Sequence, residues 1–467
     1  MLESLSDDPG EGRYSIYAWN PIRSIVVGPG PGARRDPLAQ MAEVMRPARG
    51  IECPANLPFA GGWIGFLSYE AGRFIEPSAG WRHDDRRLPL AQWRLYDAAL
   101  IHDRAGDAWS AVAVDDPHAA ADSMRPAAEG RLDEIAGVVE RANAPPTAPR
   151  PAFHSSRPRW NLTRQQYLST VRRAQDYIAA GDVFQVNIAR RLRVQFAGDA
   201  LALYERLCTT NPAALAAYVS IGSADAPAAI LSSSPELFLR LDGDAVTTRP
   251  IKGTAPRLGD ASLDDAARSF LMNCPKNAAE LNMIIDLVRN DLGRVCRYGT
   301  VRVEDPGLLE AHPTVFHRTA TVTGRLRPEC DAADLIRATF PGGSVTGAPK
   351  VRAMQIIDEL EPDARGPYCG AIGYVGLDGR MQLNLAIRTM TASEGSVTLH
   401  VGSGIVADSD PHEECAELDA KSAGMIAALG LKVLALPDAA ETSTAAAADR
   451  VTTAPLRGPV AAGVGHE

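Results

Sequence analysis

Residues 249–257, RPIKGTAPR, set Lys252 between a Pro-Ile and a Gly-Thr step, with an arginine on either flank. Such a lysine is either an ordinary charge in a solvated turn or a nucleophile held ready to react. Taken alone, the segment favours the solvated turn. LSSSPELFLRL places Glu236 beside a proline between two apolar stretches, where an exposed turn carboxylate is the simple reading. NCPKNAAELNMIIDLVRNDLGRV reads as a helix from near Pro275 to Gly293, with Glu280 in its early turns. A carboxylate there suits the helix dipole. Further on, Glu414 and Glu417 lie three apart and share a helical face with Lys421. Two same-face carboxylates are too few for an all-protein calcium cage. They suit Mg2+, which keeps several waters and takes one or two carboxylates with substrate oxygens. For such a pair taken alone, a solvated acidic face is the favoured reading.

Two glycine-rich stretches are less specific. Gly342 and Gly347 have the spacing of a phosphate loop, but Ala348-Pro349 follows where Lys-Ser/Thr is required. Gly402-x-Gly404-x-x-Ala407 is a loose dinucleotide fingerprint whose helix is delayed to Asp410-Pro411, so a nicotinamide site does not fit. What remains is a turn with exposed amides, suited to a carboxylate.

The elements that position these residues are readable in part. Thr163 and Gln166 have capping-box spacing, Tyr167, Val171, Ala174 and Ile178 form a helical stripe, and Gly181 ends it. VFQVNIARRL then alternates as a strand, with Phe184, Val186 and Ile188 on one face and Gln185 and Asn187 on the other. The two amides either face solvent or line a polar cleft. Residues 1–142 alternate strand-like pieces with turns and read as a smaller β-rich subdomain. A Pro-rich linker spans 143–158, a mixed α/β catalytic domain spans 159–430, and a tail from 436 to 467 is too poor in large apolar residues to order.

The 467 residues, 45% hydrophobic and 22% charged, are those of a globular chain with a sizeable core. A net charge of -9 argues against nucleic acid and against polybasic membrane attachment. The acidic N-terminus lacks the features of a signal peptide. The seven cysteines are scattered with no C-x-x-C pair, the usage of a reducing cytosol. A cytoplasmic enzyme is expected.

Taken in order, SPELF, PIKGTAPR, ELNMIIDLVRNDLGRV, FPGGSVTGAPKVRAMQIIDELEP, GAIGY, AIRT and GSGIVADSDP resemble the chorismate-utilising enzymes. That family includes anthranilate synthase component I, aminodeoxychorismate synthase component I, and the isochorismate and salicylate synthases. RYSIYAWNP and LPFAGGWIGFLSYEAGRF resemble the smaller half of its amino-transferring members. The resemblance implies an α/β fold of two large antiparallel sheets packed as a sandwich with helices outside, and a site in the cleft between them. It implies Glu280 and Glu417 as Mg2+ ligands with Glu414 nearby, and Gly402, Gly404 and Lys421 at the ring carboxylate of chorismate. Arg388 and Tyr368 would take the enolpyruvyl carboxylate. Glu236 would be the general acid at the C4 hydroxyl, and His317, Thr254 and Ser344 would line the ring.

Two positions select within the family. Members that add water carry a lysine base where this chain has Gln185, so ammonia is implied as nucleophile. Members that aminate C2 read A-G-T at 252–254, whereas those that aminate C4 read K-G-T, as here. The implied reaction is therefore amination at C4 through a covalent Lys252 intermediate, giving 4-amino-4-deoxychorismate. None of the cysteines sits in a G-x-C-x-G glutaminase turn, so a separate glutamine amidotransferase subunit is the expected ammonia source. Conversion to 4-aminobenzoate is expected of another enzyme. Family members also bind tryptophan in the N-terminal region. Leu281 and Asn282 look swapped relative to the family pattern, and Arg318 stands where an apolar residue is usual.

Overall fold

The computed structural model describes residues 1–5, 12–28, 36–45, 51, 53–82, 84–115, 128–142, 152–156, 158–222, 226–312 and 315–431. The tail from 436 and most of the Pro-rich linker fall outside these residues. Within the linker, His154–Ser155 pairs with Phe196 and Ala197 as a short edge strand.

Two antiparallel sheets, of twelve and ten strands among the described residues, make up the body of the protein. Strands from both ends of the chain build each of them. Leu2–Glu3, Tyr14–Tyr17, Ala98–Asp103 and Ala108–Ala113 extend the larger sheet, and Arg23–Val27, Gly62–Leu67 and Ala91–Tyr96 extend the smaller. The inner faces meet through apolar side chains. Phe66 and Ile372 of the smaller sheet pack with Ala217 and Ile230 of the larger, and Ile64 and Tyr374 pack with Ile16 and Ile101. No helix among the described residues is long and apolar enough to cross a membrane.

Local sequence explains the elements around the cleft. Arg164–Ala179 is a helix with the full Thr163–Gln166 capping box, and Tyr167, Val171 and Ala174 are buried along it. The strand Gln185–Ala197 follows and pairs along nearly its whole length with Ser396–Ile405. Val186 and Ile188 are fully buried, as the alternation predicts. Phe184 departs from it and is 72% exposed. Its amide still donates to the Ala348 carbonyl at 2.7 Å, but it lies one residue before the strand begins at Gln185, where the regular alternation ends. Helices Pro275–Gly293 and Pro411–Ala428 start where the sequence places them, each with proline in its first turn. Asp410 caps the second by accepting from the amides of His412 and Glu413.

One buried arginine ties these parts together. Arg365 Nε and Nη2 donate to both oxygens of Glu361 at 2.9 and 2.5 Å. Its Nη1 donates to the Val345 carbonyl and its Nη2 to the Asn187 carbonyl, each at 2.8 Å. Glu361 in turn accepts from the Ala189 amide at 2.8 Å. Glu70, next to the strand Gly62–Leu67, accepts from the amides of Arg365 and Gly366. Removing one partner of such a buried pair strands a charge and costs about 3–5 kcal/mol. Arg365→Met is therefore expected to lower the unfolding free energy by about that amount, and Arg365→Met with Glu361→Leu to recover part of it. Urea unfolding with unchanged m-values checks both.

Candidate active site

The cleft lies where edge strands of the two sheets come together. Gly347–Ala348, Gln185–Ala197 and Ser396–Ile405 stand at one edge of the larger sheet, and Ile251–Pro256 and Val315–Arg325 at the edge of the smaller. Lys252 and Thr254 ride on Ile251–Pro256, whose pairing with Val315–Arg325 slips between Ile251 and Thr254. Gly253 occupies the slip at φ +86°, a conformation side-chain-bearing residues rarely adopt. This bulge explains the Lys-Gly-Thr order physically.

Lys252 Nζ donates to the Ser344 carbonyl at 3.3 Å. The Ser344 hydroxyl donates to Glu236 Oε1 at 2.6 Å, so one residue of the short turn Gly343–Val345 joins lysine and acid. Glu236 is not the exposed turn carboxylate of the simple reading, for only 5% of it is accessible. Burial pushes its carboxyl up to about 7, against the Ser344 hydrogen bond and the nearby charges of Lys252 and Lys421. Burial also pushes the Lys252 ammonium down, with Lys421 in the same direction and Glu280, Glu236 and Glu417 opposing. The same loss of solvent thus moves both groups toward their neutral forms.

His317 is buried opposite Thr254, and its Nδ1 lies 2.9 Å from Thr254 Oγ1. Burial, together with Arg388 and His312, holds the imidazole neutral. Tyr368 and Arg388 leave the same end of the hairpin formed by Ala371–Gly376 and Met381–Leu385, which the Cys369 amide extends by donating to the Ala386 carbonyl. Arg388 holds φ +50°, a strain that a non-glycine residue keeps only where the surroundings enforce it. Among the described residues no oxygen is hydrogen-bonded to its guanidinium, and burial lowers its pKa. A planar fork without a counter-ion is a receptor for a carboxylate.

Gly402 and Gly404 bring strand backbone against the side chains opposite. A Cβ on Gly404 would lie 2.0 Å from Gln185 Nε2 and 3.2 Å from Lys252 Nζ. Gln185 is 1% accessible, and among the described residues its Oε1 has no partner. Lys421 Nζ donates to the Gly402 carbonyl at 3.2 Å and pairs with Glu417 at 2.6 Å. Burial would raise the Glu417 pKa, but Lys421, with Lys252 and Lys276, outweighs it and holds the carboxyl below its usual value. Lys276 donates to Glu414 Oε1 at 3.1 Å, as Ser409 does at 2.7 Å. Glu280 is raised by burial, opposed by Lys252 and Lys276 and reinforced by Glu414 and Glu417.

The three glutamates therefore share one electrostatic neighbourhood, but lysines engage them rather than one another. Among the described residues no three His, Cys, Asp or Glu side chains stand within ligating reach of a common ion. The donor chemistry still fits a hard cation: every candidate is a carboxylate, and Glu414 Oε2 is buried without a partner.

Sequence reasoning missed Arg365, Glu361 and Lys276. Arg365 sits in EPDARGPYCG, where charge beside Pro and Gly reads as a solvated loop, and nothing in the spelling marks its burial. The departures at 281 and 318 prove structural. Leu281 is core at 1% accessibility with Asn282 exposed, and Arg318 Nη1 donates to the Leu271 carbonyl near the end of helix Ala261–Asn273.

Comparison with known proteins identifies the family. Residues 4–427 match the family described as chorismate binding enzyme. Aminodeoxychorismate synthase component 1 of Klebsiella aerogenes is 41% identical over 364 residues, covering 78% of this chain and 75% of that protein. Anthranilate synthase component 1 of Streptomyces coelicolor is 38% identical over 444 residues, covering 92% and 83%. The crystal structure of anthranilate synthase component I from Streptococcus pneumoniae TIGR4 superposes with a TM-score of 0.74 at 30% identity, covering 88% and 92% of the two chains. The paired sheets, the cleft at their edges and these similarities together place the chain in the family of chorismate-binding enzymes.

Proposed function

We propose that this enzyme aminates chorismate at C4, giving 4-amino-4-deoxychorismate, with ammonia from a glutamine amidotransferase subunit. The observation that carries the reading is the chain of contacts from Lys252 Nζ through Ser344 to Glu236. It sets a nucleophile and an acid on either side of one turn, both pushed toward neutrality by burial. The relatives named component 1 of aminodeoxychorismate synthase support the same reading and imply the second subunit.

The neutral Lys252 amine attacks C2, both ring double bonds shift (C1=C2 to C1=C6 and C5=C6 to C4=C5), and the C4–O bond breaks. Glu236 donates the proton that lets hydroxide leave as water. Ammonia then attacks C4, both double bonds shift back, and the C2–N bond to Lys252 breaks. The proton released by the new ammonium returns to Glu236. The enolpyruvyl group is untouched throughout, held by Arg388 and Tyr368. Occupation of C2 by Lys252 is what sends nitrogen to C4. Gln185 cannot serve as a base for water, because an amide does not take up a proton near neutral pH. Glu280, Glu417 and Glu414 would hold Mg2+, which when bound supplies positive charge to the ring carboxylate. Gly402, Gly404 and Lys421 line the same carboxylate, and His317 and Thr254 face the ring.

Anthranilate formation is the second reading, favoured by the anthranilate synthase relative that covers 92% of the chain. Incubation with chorismate, Mg2+ and ammonium separates the readings. 4-Aminobenzoate after addition of the lyase supports C4 amination, fluorescent anthranilate without lyase supports C2 amination, and unchanged chorismate points to an inert binding partner.

Lys252→Ala is expected to abolish the covalent adduct that intact-mass spectrometry detects when wild-type enzyme is held with chorismate and Mg2+ but no ammonia. An adduct that survives the substitution removes Lys252 from the mechanism. Glu236 must be protonated to act, so its contribution is full well below about 7 and declines as pH rises through that value. Lys252 must be neutral and imposes the opposite limb. Glu236→Gln is expected to lower kcat by about 10²–10⁴ and to erase the alkaline limb of the kcat profile.

A further inference from the structure

Asn187 is the second of two amides that Gln185–Ala197 turns toward the cleft. It is 6% accessible, and its Nδ2 has no hydrogen-bond partner among the described residues. Its backbone is pinned on both sides: the amide donates to the Thr346 carbonyl and the carbonyl accepts from Arg365 Nη2, each at 2.8 Å. The side chain is thus aimed by the same arginine that sets the Ser344 turn. It leans across the sheet to Gly402, where an added Cβ would lie 2.9 Å from Asn187 Nδ2 and 2.8 Å from the Tyr368 hydroxyl. Tyr368 is itself oriented by stacking on His400, with ring centroids 5.3 Å apart and planes 12° apart.

Both groups therefore close on the same glycine, whose missing side chain lets the amide and the hydroxyl lie side by side over its backbone. Packed interiors satisfy their buried amide donors. One held in place without an acceptor among the described residues, beside a tyrosine whose ring is fixed by stacking, is arranged for an acceptor that arrives from outside. A carboxylate oxygen can accept from both groups at once.

We propose that Asn187 Nδ2 is a substrate-contacting donor that, with the Tyr368 hydroxyl, holds an oxygen of the enolpyruvyl carboxylate of chorismate. This rests on the assignment of Tyr368 and Arg388 to that carboxylate. Arg388 supplies charge to the group, and the amide and hydroxyl fix its rotation.

The test is Asn187→Leu, which keeps the shape of the side chain and removes both N–H donors. Loss of a hydrogen bond to a charged group corresponds to a KM for chorismate about 10- to 100-fold higher. The kcat is expected to change by less than about threefold, because the contact is made alike in ground and transition states. The melting temperature of the free protein should hold or rise, since an unpartnered polar group has been replaced by an apolar isostere. Asn187→Asp sets a carboxylate against a carboxylate and should raise KM further, while Asn187→Ser, which keeps a donor, should fall between wild type and Asn187→Leu. These two carry the test if Asn187→Leu does not fold. A KM within twofold of wild type in all folded variants overturns the proposal, as does a lowered melting temperature with unchanged KM, which would make Asn187 purely structural. Product identity in the same assays reports separately on C4 amination: anthranilate as product defeats that reading and leaves the Asn187 result standing.

Discussion

The geometry of the cleft depends on the buried pair of Arg365 and Glu361. Five planar donors let the guanidinium bond a carboxylate and two carbonyls at once, which a lysine ammonium cannot match in fixed directions. Each bond fixes a different part of the site. The Val345 carbonyl belongs to the turn bearing Ser344, the Asn187 carbonyl to the strand bearing Gln185, and Glu361 reaches back to the Ala189 amide on that strand. Glu70 links the same node to an element far earlier in the chain. The distance between Ser344 and Gln185, and with it the space around Lys252, is therefore set by one side chain that touches none of the reacting groups. A charge pair at this depth adds little net stability compared with apolar packing. What it contributes is direction, because its bonds are satisfied in one arrangement only.

Electrostatics then work on that frame. Glu280, Glu414 and Glu417 lie among Lys252, Lys276 and Lys421, so the cleft carries nearly balanced charge. On the proposed reading these glutamates would hold a divalent cation, which would supply positive charge to a dianionic substrate and keep that balance. Lys421, now paired with Glu417, would then serve the substrate. Loss of solvent drives Lys252 and Glu236 in the same useful direction, so no dedicated charge is needed to prepare either group.

The sequence revealed the helices around the cleft well and the site unevenly. The capping box at Thr163, the proline starts at Pro275 and Pro411 and the alternation of Val186 and Ile188 are local signals, and the fold obeys them. Burial of charge is not a local property, and there the reading of isolated segments failed. Glu236 reads as an exposed turn and is buried, while Arg365 reads as loop and is among the most buried side chains in the molecule. Phe184 shows the limit of periodicity, since alternation predicts a face only within the strand, which begins one residue later at Gln185. Motif resemblance brought Glu236, Lys252 and Arg388 together before any coordinates did, because a motif stores the outcome of tertiary packing that propensity cannot supply.

If the chain aminates C4 as proposed, regiochemistry is a property of the bulge as much as of the lysine. Side chains on a regular strand repeat every two residues, and a slip of one reverses their faces. The pairing of Ile251–Pro256 slips between Ile251 and Thr254, with Gly253 at φ +86° absorbing the change. Thr254 consequently meets His317 while Lys252 reaches the Ser344 carbonyl, and the two sides of the cleft are served from neighbouring positions. A lysine placed on an unbroken strand would lack this reach, and the same strand with alanine at 252 would keep its turn and lose its nucleophile. On the proposed reading the chain separates the two requirements: Gly253 shapes the wall, and Lys252 would decide which carbon it leaves open to ammonia.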